Sequence, residues 1–273
     1  MTSLAPEPLL RTQGLTKTHS QGRWWEKRFH SQALNGVELT LDKGKTLALV
    51  GKSGSGKTTL AMCVAMLDKP DAGKIWFEGR DVLSLAKAQR ALLRPRIQLI
   101  FQDSAAALPG RFSVAQILEE PLVIQHRYSA KERSALVLDL MAKVGLGTGL
   151  AIRPHQLSGG QRQRLAIARS LALQPSLLIL DEPFVGLDFS IRGQIVNLLL
   201  ALQEDLSLTY LYISHDLDLV RCFCDDVAVM DRGKIVEQAS VTELFRTPNQ
   251  AETKALLAPR GGHSRTDNSE WLR

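Results

Sequence analysis

Two kinds of apolar run alternate along the chain. The first kind is short and continuous: Leu47-Ala-Leu-Val50, Ile97–Phe101, Ser176-Leu-Leu-Ile-Leu180 and Thr209-Tyr-Leu-Tyr-Ile213. Runs of four or five residues without polar alternation predict strands covered on both faces, as in a parallel sheet. The second kind is spaced. Leu136, Leu140 and Val144 recur at helical intervals and predict a helix over Ala130–Val144. Helices are also predicted at Thr59–Leu67, Val114–Pro121 and Ile191–Glu204, the last as a crossover between strands. Shorter strand signals stand at Leu9–Gly14 and Val37–Leu41. A late antiparallel pair, Asp226–Met230 and Lys234–Val236, is expected around the turn Arg232-Gly233. The stretch from Ile97 to Leu150 is mostly helical in pattern. The chain therefore reads as α/β: one domain over 1–259, a helical subdomain inserted at about 103–170, and a polar tail over 260–273 expected to be disordered.

The first chemistry lies in Gly51-Lys-Ser-Gly-Ser-Gly-Lys57-Thr58, which fits G-x-x-x-x-G-K-[ST]. It sits between a predicted strand and a predicted helix, the context this phosphate loop requires. Gly51, Ser53, Gly54, Ser55 and Gly56 would turn backbone N–H groups toward phosphate oxygens. The helix start adds the positive end of a dipole. Lys57 would reach the β- and γ-phosphates of a bound nucleoside triphosphate, the Thr58 hydroxyl would ligate Mg²⁺, and Thr59 follows at the helix start. Further on, Leu177–Leu180 ends in Asp181-Glu182. An acid at the carboxyl end of a buried parallel strand is placed near such a loop. Asp181 is the candidate for the Mg²⁺ shell, and Glu182 for orienting and deprotonating water.

Composition narrows the partners only slightly. The chain has 273 residues, 44% hydrophobic and 23% charged, which is ordinary for a globular protein. A net charge of +6 permits an anionic partner and specifies none. No run reaches the roughly 20 apolar residues of a membrane span, and the N-terminus lacks the pattern of a secretory signal. Cys63, Cys222 and Cys224 have no metal or redox spacing and read as structural. The loop Gln21–His30, with Trp24 and Trp25, is basic and aromatic. It suits either a nucleic-acid or membrane contact or a solvated insertion.

Leu157-Ser158-Gly159-Gly160-Gln161, followed by Arg162-Gln-Arg-Leu-Ala-Ile-Ala-Arg169, resembles the signature of the ABC (ATP-binding cassette) ATPase family. The resemblance covers the chain to about Pro259. It implies a P-loop NTPase fold with a RecA-like core, an antiparallel β part and a helical subdomain. Ser158, Gly159, Gly160 and Gln161 would bind the γ-phosphate held by another cassette, two cassettes closing head-to-tail over two ATP molecules. Gln102 resembles the glutamine that approaches Mg²⁺ and the attacking water, and it marks where the helical part meets a membrane partner. His215 resembles the histidine that contacts the γ-phosphate. Leu187-Asp188 resembles the segment that crosses between cassettes, although Val185-Gly186 stands where Ser-Ala is usual. The family's adenine-stacking aromatic falls near His19, with Trp24, Trp25 and Phe29 as substitutes.

Within the family, Phe101-Gln-Asp103, the stretch Asp188–Leu199, Leu211–Leu217 and Val227–Glu237 are similar to the ATPases of oligopeptide, dipeptide and nickel importers. The Phe-Gln-Asp form resembles the second ATPase of such pairs. The resemblance implies a homologous ATPase partner, two transmembrane permease subunits and a periplasmic or lipid-anchored substrate-binding protein. The chain would work at the cytoplasmic face of a bacterial inner membrane, with no nucleic acid. Leu108-Pro-Gly-Arg111 departs from the branch's Leu-Asn-Pro-Arg. With no cysteine after Cys224, the iron–sulfur extension of some members is not expected, and the tail is more similar to nickel, metallophore or antimicrobial-peptide members. The rival readings are a soluble ABC protein acting on DNA or ribosomes, an exporter ATPase and a non-hydrolysing regulator. The last conflicts with Glu182 and His215.

Overall fold

The computed structural model describes residues 7–21, 29–147 and 149–258. Trp24 and Trp25, and the tail over 260–273, lie outside them. In chain order the elements begin with β1 (Leu10–Gln21), β2 (Phe29–Leu41), β3 (Thr46–Val50), α1 (Lys57–Val64), β4 (Ala72–Phe77), β5 (Arg80–Asp81) and α2 (Lys87–Leu93). Then come β6 (Ile97–Ile100), α3 (Val114–Ile124), α4 (Ala130–Lys143), α5 (Gly159–Leu171), β7 (Leu177–Asp181) and α6 (Phe189–Leu206). The chain ends with β8 (Thr209–Ile213), α7 (Leu217–Phe223), β9 (Asp226–Asp231), β10 (Lys234–Ser240), α8 (Val241–Arg246) and α9 (Ala251–Leu257).

Two compact units divide these elements. The first joins Met1–Ala91 to Thr209–Arg273, and the second is Leu92–Leu208. In the first, β3 pairs in parallel with both β8 and β9, and β10 closes antiparallel on β9. All five positions of β3 and of β8 are buried, as their unbroken apolar runs require. The β9–β10 turn has positive φ at both Arg232 (45°) and Gly233 (78°), the backbone of a type I′ hairpin. An antiparallel sheet of order β2-β1-β4-β5 makes up the rest of this unit's strands. The register of β1 slips around Gly14, which has φ 59°. There Gly73 approaches so closely that a Cβ on it would lie 2.6 Å from the Gly14 carbonyl oxygen. That bulge lets β1 run on to Gln21, well past the Gly14 expected as its end.

The second unit holds the parallel pair β6–β7, with Ile100 opposite Leu180, and β7 is buried throughout. The helices expected between about 103 and 170 all fall in it. α3, α4 and α5 each open on a serine whose hydroxyl accepts from the backbone three residues on, while the side chain of Gln116, Glu132 or Gln161 accepts in return. These reciprocal boxes satisfy helix-start N–H groups that would otherwise lack partners. Arg133 to Glu119 (2.8 Å) and Arg169 to Glu120 (2.7 Å) tie α4 and α5 to α3. The buried stripe of α4 is Val137, Leu140 and Met141.

Two helix ends differ from expectation by three residues. α3 passes through Pro121 to Ile124 instead of stopping there. Proline forfeits one internal bond but can still accept, and Gln125 N–H donates to its carbonyl at 3.3 Å. α1 ends earlier than Leu67. Met66 turns left-handed at φ 56°, Leu67 N–H reaches back to Met62 O (2.9 Å), and Met66 N–H to Cys63 O (3.1 Å). This is a Schellman end without its usual glycine.

Candidate functional site

The turn after β3 is shaped by its glycines. Gly51 has φ 154°, and a Cβ there would lie 2.1 Å from the Met230 carbonyl oxygen. Gly56 has φ 109° and would meet Ala33 O at 2.3 Å. Gly54 has open space but φ 77°, so its requirement is conformational alone. Lys57, only 8% exposed, folds over the turn and donates to the carbonyls of Gly51 and Lys52, both at 2.9 Å. Ser55 is buried, whereas Ser53 and Thr58 are exposed and Thr59 is half-buried. The β9–β10 hairpin supports the turn from behind: Gly233 N–H donates to Ser55 O (2.9 Å), and Asn35 N–H to Gly233 O (2.8 Å).

His215 reaches the same sheet edge. Leu49 of β3 pairs with Ile213 of β8, and the two strands end side by side. Ser214 then fixes the exit. Its N–H donates to Leu49 O (3.3 Å), and its buried hydroxyl accepts from the Tyr212 hydroxyl and the Asp216 N–H, both at 3.0 Å. Asp216 caps α7, and His215 is left exposed between them. His19 lies half-buried on β1, its Nε2 3.4 Å from Thr59 Oγ1 on α1. Two residues back, Lys17 pairs with Asp68 at 2.7 Å. The Lys17 hydrogen bond holds the Asp68 carboxyl below its usual range. The first unit thus brings together the phosphate-loop residues, His19 and His215.

The second unit brings together the others. Ile100 and Leu180 are register partners, so Gln102 and Asp181-Glu182 follow at one end of the β6–β7 pair. Asp181 is buried, Glu182 half-buried and Gln102 exposed. Glu182 has φ 49°, a region that costs a side-chain-bearing residue about 1–3 kcal/mol and recurs at functional positions. The chain then steps to α6 through two turn bonds, Val185 N–H to Glu182 O and Leu187 N–H to Phe184 O, both 3.3 Å. Asp188 stands at the N-cap of α6 without a side-chain capping bond. At the start of α5, Ser158 Oγ accepts from Gln161 N–H (3.3 Å), and Gln161 Oε1 accepts from Ser158 N–H (2.9 Å). Ser158 is exposed and keeps its hydroxyl proton to donate. Beside Gln102 lies a groove of about 590 Å³ lined by Phe101, Leu108, Pro121 and Ile124, with Glu120 and Arg169.

Sequence reasoning missed the residues that support the turn from behind. Ala33, Asn35, Met230 and Ser214 act through backbone or second-row contacts, and no residue-type pattern marks them. The cysteines fit the structural reading. Burial pushes the Cys63 thiol up to about 11, and raises Cys222 and Cys224 as well. Among the described residues no helix is long and apolar enough to cross a membrane, and no His, Cys, Asp or Glu cluster has metal-site geometry.

Comparisons with known proteins identify the family and the fold. Residues 34–185 match the family model described as ABC transporter. The chain is 44% identical over 253 residues to the dipeptide transport ATP-binding protein DppF of Haemophilus influenzae, covering 92% of this chain and 77% of that one. It is 42% identical to the oligopeptide transport ATP-binding protein AppF of Bacillus subtilis, covering 94% and 80%. Among solved structures, cbiO1 of Clostridium perfringens, part of the ABC transporter complex cbiONQ, superposes with a TM-score of 0.77 at 30% identity, over 88% of this chain and 91% of that one. A dimeric post-hydrolysis state of the ATP-binding cassette MJ0796, bound to ADP and Pi, gives 0.74 at 29% identity over 85% and 98%. With mixed parallel and antiparallel sheets, the cassette fold and a family model spanning more than half of its length, the chain belongs to the ABC transporter family.

Proposed function

We propose that this chain is the ATP-hydrolysing subunit of a bacterial importer and that the imported cargo is peptide. The observation that carries the ATPase half is the buried strand β7 ending in Asp181-Glu182, with Gln102 at the same end of the β6–β7 pair. The peptide half rests on relatives named for dipeptide and oligopeptide transport.

ATP is the substrate. Its phosphates suit the turn after β3, where a Cβ at Gly51 or Gly56 would run into backbone carbonyls and where Lys57 is already turned inward. Mg²⁺ suits an all-oxygen donor set, and we assign the Thr58 hydroxyl, the Gln102 amide and the Asp181 carboxylate to it. When bound, it would neutralise charge on the β- and γ-phosphates. Glu182 accepts a proton from the attacking water. Gln102 orients that water, and His215 donates a hydrogen bond to the γ-phosphate. Lys57 holds charge as it develops on the transferring group. Positioning and fixed charge supply most of the acceleration. Ser158, Gly159, Gly160 and Gln161 present their helix start to ATP held by a homologous ATPase, with Asp188 at the junction. His19 takes the adenine side.

The groove beside Gln102 receives one of two permease subunits at the cytoplasmic face of the inner membrane. A substrate-binding protein delivers the cargo. Affinity purification of this chain from native membranes, with mass spectrometry of what accompanies it, tests the reading. Recovery of a second ATPase of this family and two multispanning subunits supports it. Recovery of ribosomes or DNA-bound proteins without membrane subunits overturns the importer assignment and leaves the ATPase chemistry.

A further inference from the structure

The two glycines at the start of α5 have different surroundings within their own chain. A Cβ on Gly160 would lie 2.8 Å from Ile191 Cγ2, closer than real Cβ contacts come. A Cβ on Gly159 would meet only Leu187 Cδ2, at 3.5 Å, an ordinary contact. Both glycines have helical backbone in the first turn of α5, so neither is needed for an unusual φ. Glycine is a poor helix former, and its presence there asks for a reason. For Gly160 the reason is Ile191. Its γ2 methyl is bonded directly to Cβ on the third residue of α6, and a β-branched side chain in a helix cannot rotate it aside. The segment before Ile191 is itself tied down: Arg192 Nε donates to Leu187 O (2.8 Å), and Arg192 N–H to Asp188 O (3.0 Å).

We infer that Ile191 is a positioning residue whose γ2 methyl, seated on Gly160, fixes the start of α5 against the start of α6 and so aims the Ser158–Gln161 turn. Gly160 is a glycine to admit Ile191. Gly159, whose own chain leaves room for a methyl, is a glycine for what approaches from outside. The inference rests on the reading of Ser158–Gln161 as a phosphate-facing turn.

The test uses the complex purified from native membranes through this chain, reading kcat and KM for ATP, melting temperature and amide exchange over residues 158–164. Gly160→Ala is expected to lower kcat about 10–100-fold while KM stays within about twofold. Adding Ile191→Ala restores most of the loss, whereas adding Ile191→Val, which keeps the γ2 methyl, restores none. Ile191→Ala alone lowers kcat and speeds exchange at the start of α5, and Ile191→Val alone leaves both near wild type. Gly159→Ala does not lower the melting temperature, and Ile191→Ala does not relieve its effect on kcat. A Gly160→Ala variant with wild-type kcat and exchange, or a double variant no better than the single one, overturns the inference. A wild-type complex without ATP turnover counts against the ATPase reading instead, and amide exchange across the same variants then decides the role of Ile191. If Gly160→Ala does not fold, recovery of the folded chain by Ile191→Ala but not Ile191→Val decides it equally.

Discussion

The turn after β3 and the turn before α5 both present a helix start outward, but they are built from opposite materials. At the first, the glycines sit at positive φ, and Gly51 and Gly56 are crowded by the backbone carbonyls of Met230 and Ala33. At the second, every residue has ordinary backbone, a Ser/Gln box satisfies the helix start, and the single crowded glycine faces a side-chain methyl. A backbone carbonyl cannot be trimmed by mutation, whereas a methyl can. The first turn therefore tolerates no compensated change, and the second can be broken and mended.

The largest effect should come from neither turn. Glu182→Gln is expected to cut hydrolysis by about 10²–10⁴-fold while nucleotide binding stays intact, because it removes only the proton acceptor. Turnover and fluorescent-nucleotide affinity measured together check this, and unchanged turnover would remove Glu182 from its assigned role. Gly56→Ala breaks the first turn. Its nucleotide affinity should fall about tenfold or more, from strain at φ 109° and the clash with Ala33 O, and no second-site truncation should recover it. Recovery by any side-chain change would show that the first turn can be mended as the second can. Ser158→Ala removes a cap from the second turn. It should cost about 1 kcal/mol of stability, seen as a small drop in melting temperature, and should also slow turnover. Gly159→Ala, by contrast, should not lower the melting temperature.

The smallest effect concerns Lys17 and Asp68, beside the first turn. The carboxyl of Asp68 is held below its usual range in the folded chain, so the pair's contribution is full above the unfolded carboxylate value of about 3.9. It is lost as pH falls through the depressed folded value. Melting of the wild type should therefore fall more steeply below about pH 4 than melting of Asp68→Asn. Parallel curves for the two would show that the pair contributes nothing.

Much of this was legible in the residues because the chemistry demands particular types at particular spacing. Gly51 through Thr58, Ser158 through Gln161, and Asp181-Glu182 announce themselves, and the buried strands around them are unbroken apolar runs. Other features left no such mark. β4 opens with Ala72-Gly-Lys, and its place depends on Gly73 nesting against Gly14, a contact between residues far apart in the chain. The left-handed end of α1 falls on Met66, where glycine would have signalled it. β9 reads as half of a hairpin, and its second, parallel partnership with β3 follows only from assembly of the sheet. The carbonyls that crowd Gly51 and Gly56 belong to Met230 and Ala33, and every residue carries a carbonyl, so residue type could not reveal those contacts.

The hairpin behind the first turn has a consequence for synthesis. Gly233 closes onto Ser55, so a loop made early in translation is finished by residues made late. A nascent chain that has not yet released β9 and β10 from the ribosome lacks the Met230 carbonyl and the Gly233 amide. Nucleotide capture then waits until synthesis has passed Gly233, and a truncated product stopping before Asp226 should not engage ATP.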